Sequence, residues 1–156
     1  MINMKFLSLI FYVAIFCSCN DKSTNNVVQK KIATIDTTKW TPEQEIPVLF
    51  VQIQSKAFKS ELVALIVRQK TEQTIDERLQ AANIGKWFAG DIGPSGANML
   101  FEVKNVDDGM KIIMEVLKEK KLESTTVIGH RIYISSDDWD YKIIYPENYK
   151  GEFNTM

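Results

Sequence analysis

The sequence predicts one α+β domain over residues 40–156, an antiparallel sheet carrying two helices on one face with extra strands at both ends. Three observations predict it. From residue 61 the elements read strand, helix, strand, strand, helix, strand. Each predicted helix opens on a capping signal. The two middle strands are joined by a glycine-rich turn in "GKWFAGDIGPSGANMLFEV".

In chain order, "IPVLFVQIQ" (46–54) is rich in β-branched and aromatic residues and reads as a strand. "ELVALIVRQ" (61–69) holds the unbroken apolar run LVALIV, which fits a strand buried on both faces or a buried helical turn; strand is the expectation. In "TEQTIDERLQAANIG", Thr74 and Glu77 make a capping box. Ile75, Leu79 and Ala82 then share one helical face, and Gly85 is placed to end the helix. Residues 86–103 form two strands about a turn. In "NVDDGMKIIMEVLKEKKL", Asp107 is the expected cap and Asp108 suits the positive helix end. Met110, Ile113, Met114 and Leu117 follow at i, i+3, i+4 and i+7, an apolar stripe. "TTVIGHRIYI" (125–134) and "YKIIYP" (141–146) complete the strands.

This order is that of the split βαβ unit. It resembles the ferredoxin-like sandwich, and the globular part is similar to small ferredoxin-like bacterial domains with no activity attached. That resemblance implies a fold and no chemistry.

The first residues carry a different message. "MINMK" is followed by the apolar run "FLSLIFYVAIFC", then Ser18, Cys19 and the polar stretch "NDKSTNNVVQKK". The run has the length of a signal-peptide core and is short for a membrane span. A small residue before a cysteine at this point resembles the lipobox of bacterial lipoproteins, although Phe16 and Cys17 stand where that family usually has leucine and a small residue. The resemblance implies that 1–18 is a signal peptide and that Cys19 is acylated and becomes the mature N-terminus. With Asn20 rather than aspartate after the cysteine, it implies the outer membrane before the inner one, on either face. Residues 19–39, rich in Asn, Ser, Thr and Lys, bury too little to offset the entropy of ordering and read as a tether. Some twenty such residues reach about 25 Å.

Cys17 and Cys19 are the only cysteines, too close in sequence for an unstrained disulfide. With His130 as the single histidine they make no metal site, and no cofactor is expected. The 156 residues carry a net charge of -1, and loss of Lys5 with the signal leaves 18 basic against 20 acidic residues. That balance argues against nucleic acid, which needs a concentrated basic face.

Four stretches could carry function. Gly90, Gly93 and Gly96 are spaced like a phosphate-cradling loop, but a strand follows instead of a helix, so a hairpin turn is expected. Trp87 and Phe88 beside it pack into the core, or one of them is exposed to a partner. His130 lies mid-strand with no triad partner near it in sequence and reads as a sheet histidine rather than a general base. Asp137, Asp138 and Asp140 flank Trp139 in "SSDDWDY"; without an EF-hand pattern they read as a solvated turn rather than a calcium loop.

The function expected is a lipid-anchored envelope protein that binds another protein, in an immunity-type or assembly role, through Trp87, Asp91, Asp137, Asp138 and Trp139. The alternative is a small-ligand receptor or enzyme using the Gly90–Asn98 loop, with His130, Asp91 and Asn98 converging on a pocket. A third expectation is an envelope subunit offering strand 46–54 or 141–146 as an open sheet edge.

Overall fold

The structure is a computed structural model that describes residue 41, residues 45–151 and residue 153. The signal segment, Cys17, Cys19, the tether and Trp40 lie outside the described residues. Among the described residues five strands and two α-helices follow one another, with short 3-10 turns at Ser55–Ala57 and Glu123–Thr125: β1 (Val48–Gln54), α1 (Glu61–Ala81), β2 (Gly85–Gly93), β3 (Gly96–Val103), α2 (Val106–Glu119), β4 (Thr126–Tyr133) and β5 (Trp139–Tyr145). The strands form one antiparallel sheet in the order β2-β3-β1-β4-β5. This is an α+β protein with a five-stranded sheet and two helices, compatible with a ferredoxin-like fold.

The strand that opens the strand-helix-strand succession along the chain is β1, not residues 61–69. Those residues open α1, which runs unbroken for 21 residues. Ser60 caps it, its Oγ accepting from the Val63 backbone N–H at 3.3 Å. The expected start at Thr74 is therefore mid-helix, and the Thr74 hydroxyl donates to the Lys70 carbonyl one turn back. The expected stop at Gly85 moves too. Asn83 takes a left-handed conformation (φ 55°), while its N–H bonds the Gln80 carbonyl and that of Ile84 bonds Leu79. This pair of reversed bonds is a Schellman ending. The second helix ends the same way, with Lys121 (φ 57°) in place of Asn83 and Leu122 bonding back to Leu117. Its cap is Asn105 rather than Asp107: the Asn105 Oδ1 accepts from the Asp108 N–H at 3.1 Å.

β1 lies between β3 and β4, so it is the central strand and not an edge. Its side chains alternate. Leu49, Val51 and Ile53 enter a core with Met99, Phe101 and Ile128 of the sheet, Ile75 and Leu79 of α1, and Ile113, Val116 and Leu117 of α2. Val48 and Phe50 enter a second cluster on the opposite face, with Leu100 and the half-buried Ala89, Tyr141 and Phe153. A strand apolar on both sides reads as a continuous run, which is what VLFV is. Each such residue, when fully buried, contributes about 1.5–3 kcal/mol.

The β2–β3 hairpin is the expected turn. Gly93 and Gly96 face each other across Pro94–Ser95, and Gly96 has φ 137°. A Cβ there would collide with the Ile53 carbonyl and lie 2.8 Å from the Ser55 nitrogen. Glycine is required by conformation and by contact.

Candidate site on the sheet face opposite the helices

Strand pairing decides which side chains meet. Arg131 stands opposite Tyr141, and Tyr133 opposite Trp139. Side chains two apart share a face, so these four gather on the side that holds Phe50. Phe50 pairs with Gly129 on one flank and Leu100 on the other, and Ala89 lies beyond Leu100. The glycine leaves room for Phe153, which returns from the C-terminal segment onto this face; a Cβ on Gly129 would lie 3.1 Å from its ring. Phe50, Tyr141 and Phe153 meet edge to face, with centroids 5.0–6.0 Å apart. Nearby, Gln54 donates from Nε2 to the Tyr149 hydroxyl and fastens the same segment.

Arg131 occupies the centre of this aromatic surface. Its guanidinium lies 4.8 Å from the Trp139 ring centroid, 5.6 Å from that of Tyr141 and 5.9 Å from that of Tyr133. These are cation–π distances. Nε and Nη2 both donate to the Tyr141 hydroxyl, at 3.2 and 2.9 Å. Burial works against its charge, but the hydroxyls of Tyr141 and Tyr133 outweigh it and raise the pKa above the ordinary arginine value. Among the described residues the ion pairs are Arg68–Glu72, Arg78–Glu119 and Lys86–Glu102, and Arg131 has no carboxylate partner.

The strand β2 is bulged between Trp87 and Ala89. The extra residue, Phe88, is delivered to this face. Phe88, Leu100, Arg131, Trp139 and Tyr141 line a pocket of about 170 Å³ with Phe50 at its floor. Phe88 is 48% and Trp139 46% exposed.

One rung along, Asp91, Asn98 and Gln52 form a polar row across three strands. Gln52 donates to the Asn98 Oδ1 at 3.0 Å, and Asn98 donates to the Asp91 Oδ1 at 2.7 Å. Two expected site residues, Asp91 and Asn98, are thus joined, but to each other and inside the sheet's own network. His130 is not with them. It pairs with Leu49, whose side chain is in the helix-packed core, so it points to the other face. Burial, and then the Lys142 charge, lower its pKa below 6.5. None of the described pockets is lined by both His130 and Asp91, and the convergent His130–Asp91–Asn98 pocket is not assembled.

The two tryptophans are separated as well. Trp87, 42% exposed, pairs with the core residue Phe101 and lines a groove of about 660 Å³ at the β2 edge. Polar groups of that groove serve one another. Asp76 accepts from the Trp87 N–H and from Gln80, Lys86 pairs with Glu102, and Lys104 donates to Asn83. Asp137 and Asp138 are exposed in the loop between β4 and β5, which the Asp138 carbonyl closes by accepting from Ile134 and Ser135. Among the described residues, no group of three or more His, Cys, Asp or Glu side chains is arranged to hold a metal ion, and no helix is long and apolar enough to cross a membrane.

Sequence reasoning missed Arg131, Tyr133 and Tyr141. The signal was present in "RIY" and "WDY": two i, i+2 pairs that a β hairpin sets face to face once its register is known.

The molecule is thus a small α+β sheet protein with an arginine framed by aromatic rings on one sheet face. Compared with protein families, curated proteins and solved structures, the chain matches none.

Proposed function

We propose that this chain is a lipid-anchored protein of the bacterial envelope, on the outer membrane in preference to the inner, whose ferredoxin-like domain binds another protein. The fold part rests on the strand order β2-β3-β1-β4, which is that of the split βαβ sandwich with β5 added beside β4. The anchor rests on the sequence around Cys19. An immunity-type or assembly role is the form this binding takes.

The observation that carries the binding function is the pair of half-exposed rings, Phe88 and Trp139, on either side of Arg131. Tryptophan, tyrosine and arginine dominate the energetics of protein interfaces, most of all when clustered. Asp137 and Asp138, in the loop leading into Trp139, supply a polar rim. Trp87, in the groove at the β2 edge, is outside the contact.

The test is capture from source-cell membranes, using the full chain carrying a C-terminal tag and extracted in mild detergent. A stoichiometric protein partner that is lost in Trp139→Ala and Phe88→Ala, but kept in Trp87→Ala, is the expected result. Radiolabelled palmitate should enter the chain and fail to enter Cys19→Ser. No partner, or a partner indifferent to Trp139 and Phe88, removes the binding function from this face.

A further inference from the structure

The pocket beside Arg131 has a chemistry of its own. Arginine carries five N–H donors; Tyr141 takes two of them, one from Nε and one from Nη2, and the Tyr133 hydroxyl lies beside the group as well. The donors that Tyr141 leaves lie on Nη1 and Nη2. These are the two ends of the guanidinium that grip a carboxylate in the paired, parallel mode. Among the described residues no acid occupies them. The rings of Trp139, Tyr141 and Tyr133 hold the planar group in place, so little side-chain entropy is lost when it is engaged. Next to this charge the walls are apolar: Phe88, Leu100 and the Phe50 floor. A single cation suits a monovalent anion; a phosphate dianion would need further donors, and the lining offers no other cation. At about 170 Å³ the pocket has room for about six water-sized volumes. That is a carboxylate on a short branched or cyclic apolar body.

The geometry points to a binding site for a small apolar carboxylate, with Arg131 on the acid group and Phe88, Leu100 and Trp139 around the hydrocarbon. The same chemistry has two sources, a free short-chain acid or the apolar C-terminal residue of a polypeptide. The site lies on the face assigned to partner binding and in that respect rests on the proposed function.

The experiment is a titration of the isotope-labelled full chain in lipid nanodiscs, followed by two-dimensional NMR. The probes are isovalerate, isovaleramide, a pentapeptide ending in a free leucine carboxylate and the same peptide amidated. Saturable shifts of the Trp139 indole and of the Ala89 and Leu100 amides are expected with one or both acids. The uncharged partner of each pair should bind at least tenfold more weakly. Arg131→Gln should abolish the shifts, and Arg131→Lys should weaken them. Because the acid and amide arms use the unaltered protein, a variant that fails to fold leaves the result intact. Saturation by isovalerate alone identifies a free acid as the ligand class; saturation by the free-ended peptide alone identifies a chain terminus. No saturable binding by either acid, or equal binding of acid and amide, overturns the inference. Trp139-dependent capture of a partner without acid binding removes this site and spares the proposed function. Acid binding without a captured protein does the reverse.

Discussion

The guanidinium of Arg131 lies 4.8 Å from the ring centroid of Trp139, across the β4–β5 pairing. Neither residue is buried, so the contact is of the exposed kind, which adds about 0.5–1 kcal/mol. Trp139→Ala should therefore lower stability by about 1 kcal/mol and leave a folded protein. Urea denaturation followed by far-ultraviolet circular dichroism measures it. A loss above about 3 kcal/mol would mean that Trp139 serves the core instead of the surface.

Gly96 offers a sharper case. It needs positive φ and a bare Cα beside the Ile53 carbonyl. Strain and overpacking each cost about 1–3 kcal/mol. Gly96→Ala should destabilise by at least about 2 kcal/mol, read as a fall in the urea midpoint with unchanged slope. A neutral result would contradict the turn geometry.

His130 gives the protein a pH dependence of defined sign. Burial, followed by the charge of Lys142, lowers its folded pKa below the ordinary 6.5. As pH falls through 6.5 the unfolded chain takes up a proton that the folded chain resists, so stability is lost. The loss starts near 6.5 and continues down to the folded pKa, below which it levels off. His130→Asn should flatten the stability profile between about pH 7 and pH 5, above most carboxylate titration. Lys142→Gln should reduce the slope without removing it. Denaturation midpoints across that range, for the three proteins, decide.

Thr71 is buried inside α1, and its hydroxyl has no hydrogen-bond partner among the described residues. A buried polar group without a partner costs about 1–3 kcal/mol, and replacement by an apolar group of the same shape recovers part of this. Thr71→Val should raise stability by about 1 kcal/mol. A loss of stability would show that the hydroxyl is satisfied.

How much of this was legible depends on whether the information is local. The stripe of α2 and the β2–β3 turn are local, and both stand where the periodicity and glycines put them. The start of α1 is local too, yet its sequence reads as a strand. LVALIV is apolar around the whole helix, with Leu62 left 66% exposed, so it shows neither helical nor strand periodicity. Ser60 caps without the Glu or Gln three residues on that would have advertised it, while Thr74–Glu77 copies the signal mid-helix. The double change Leu62→Gln, Ile66→Gln should thus cost less than about 1 kcal/mol in total, as surface changes do. A buried strand would lose several times that by the same denaturation assay. The central place of β1 and the gathering of Arg131, Tyr133, Trp139 and Tyr141 depend on long-range pairing, which no single stretch encodes. The separation of Trp87 from Trp139 depends on the one-residue bulge at Phe88, which flips the alternation of the strand.

That bulge and the bond from the Trp87 N–H to Asp76, a residue of α1, lie together on β2, an outer strand of the sheet. Bulges and occupied donors are what keep outer strands from recruiting another chain. A newcomer at β2 would have to break a charge-assisted bond and follow a bent backbone, and β5 on the other side is likewise bulged, at Ile144, with the Tyr141 N–H held by the Asp140 carboxylate. The two margins are therefore alike in resisting growth. Neither margin is a favourable template for another copy, so the sequence that shapes β2 and β5 also limits how far the sheet can grow.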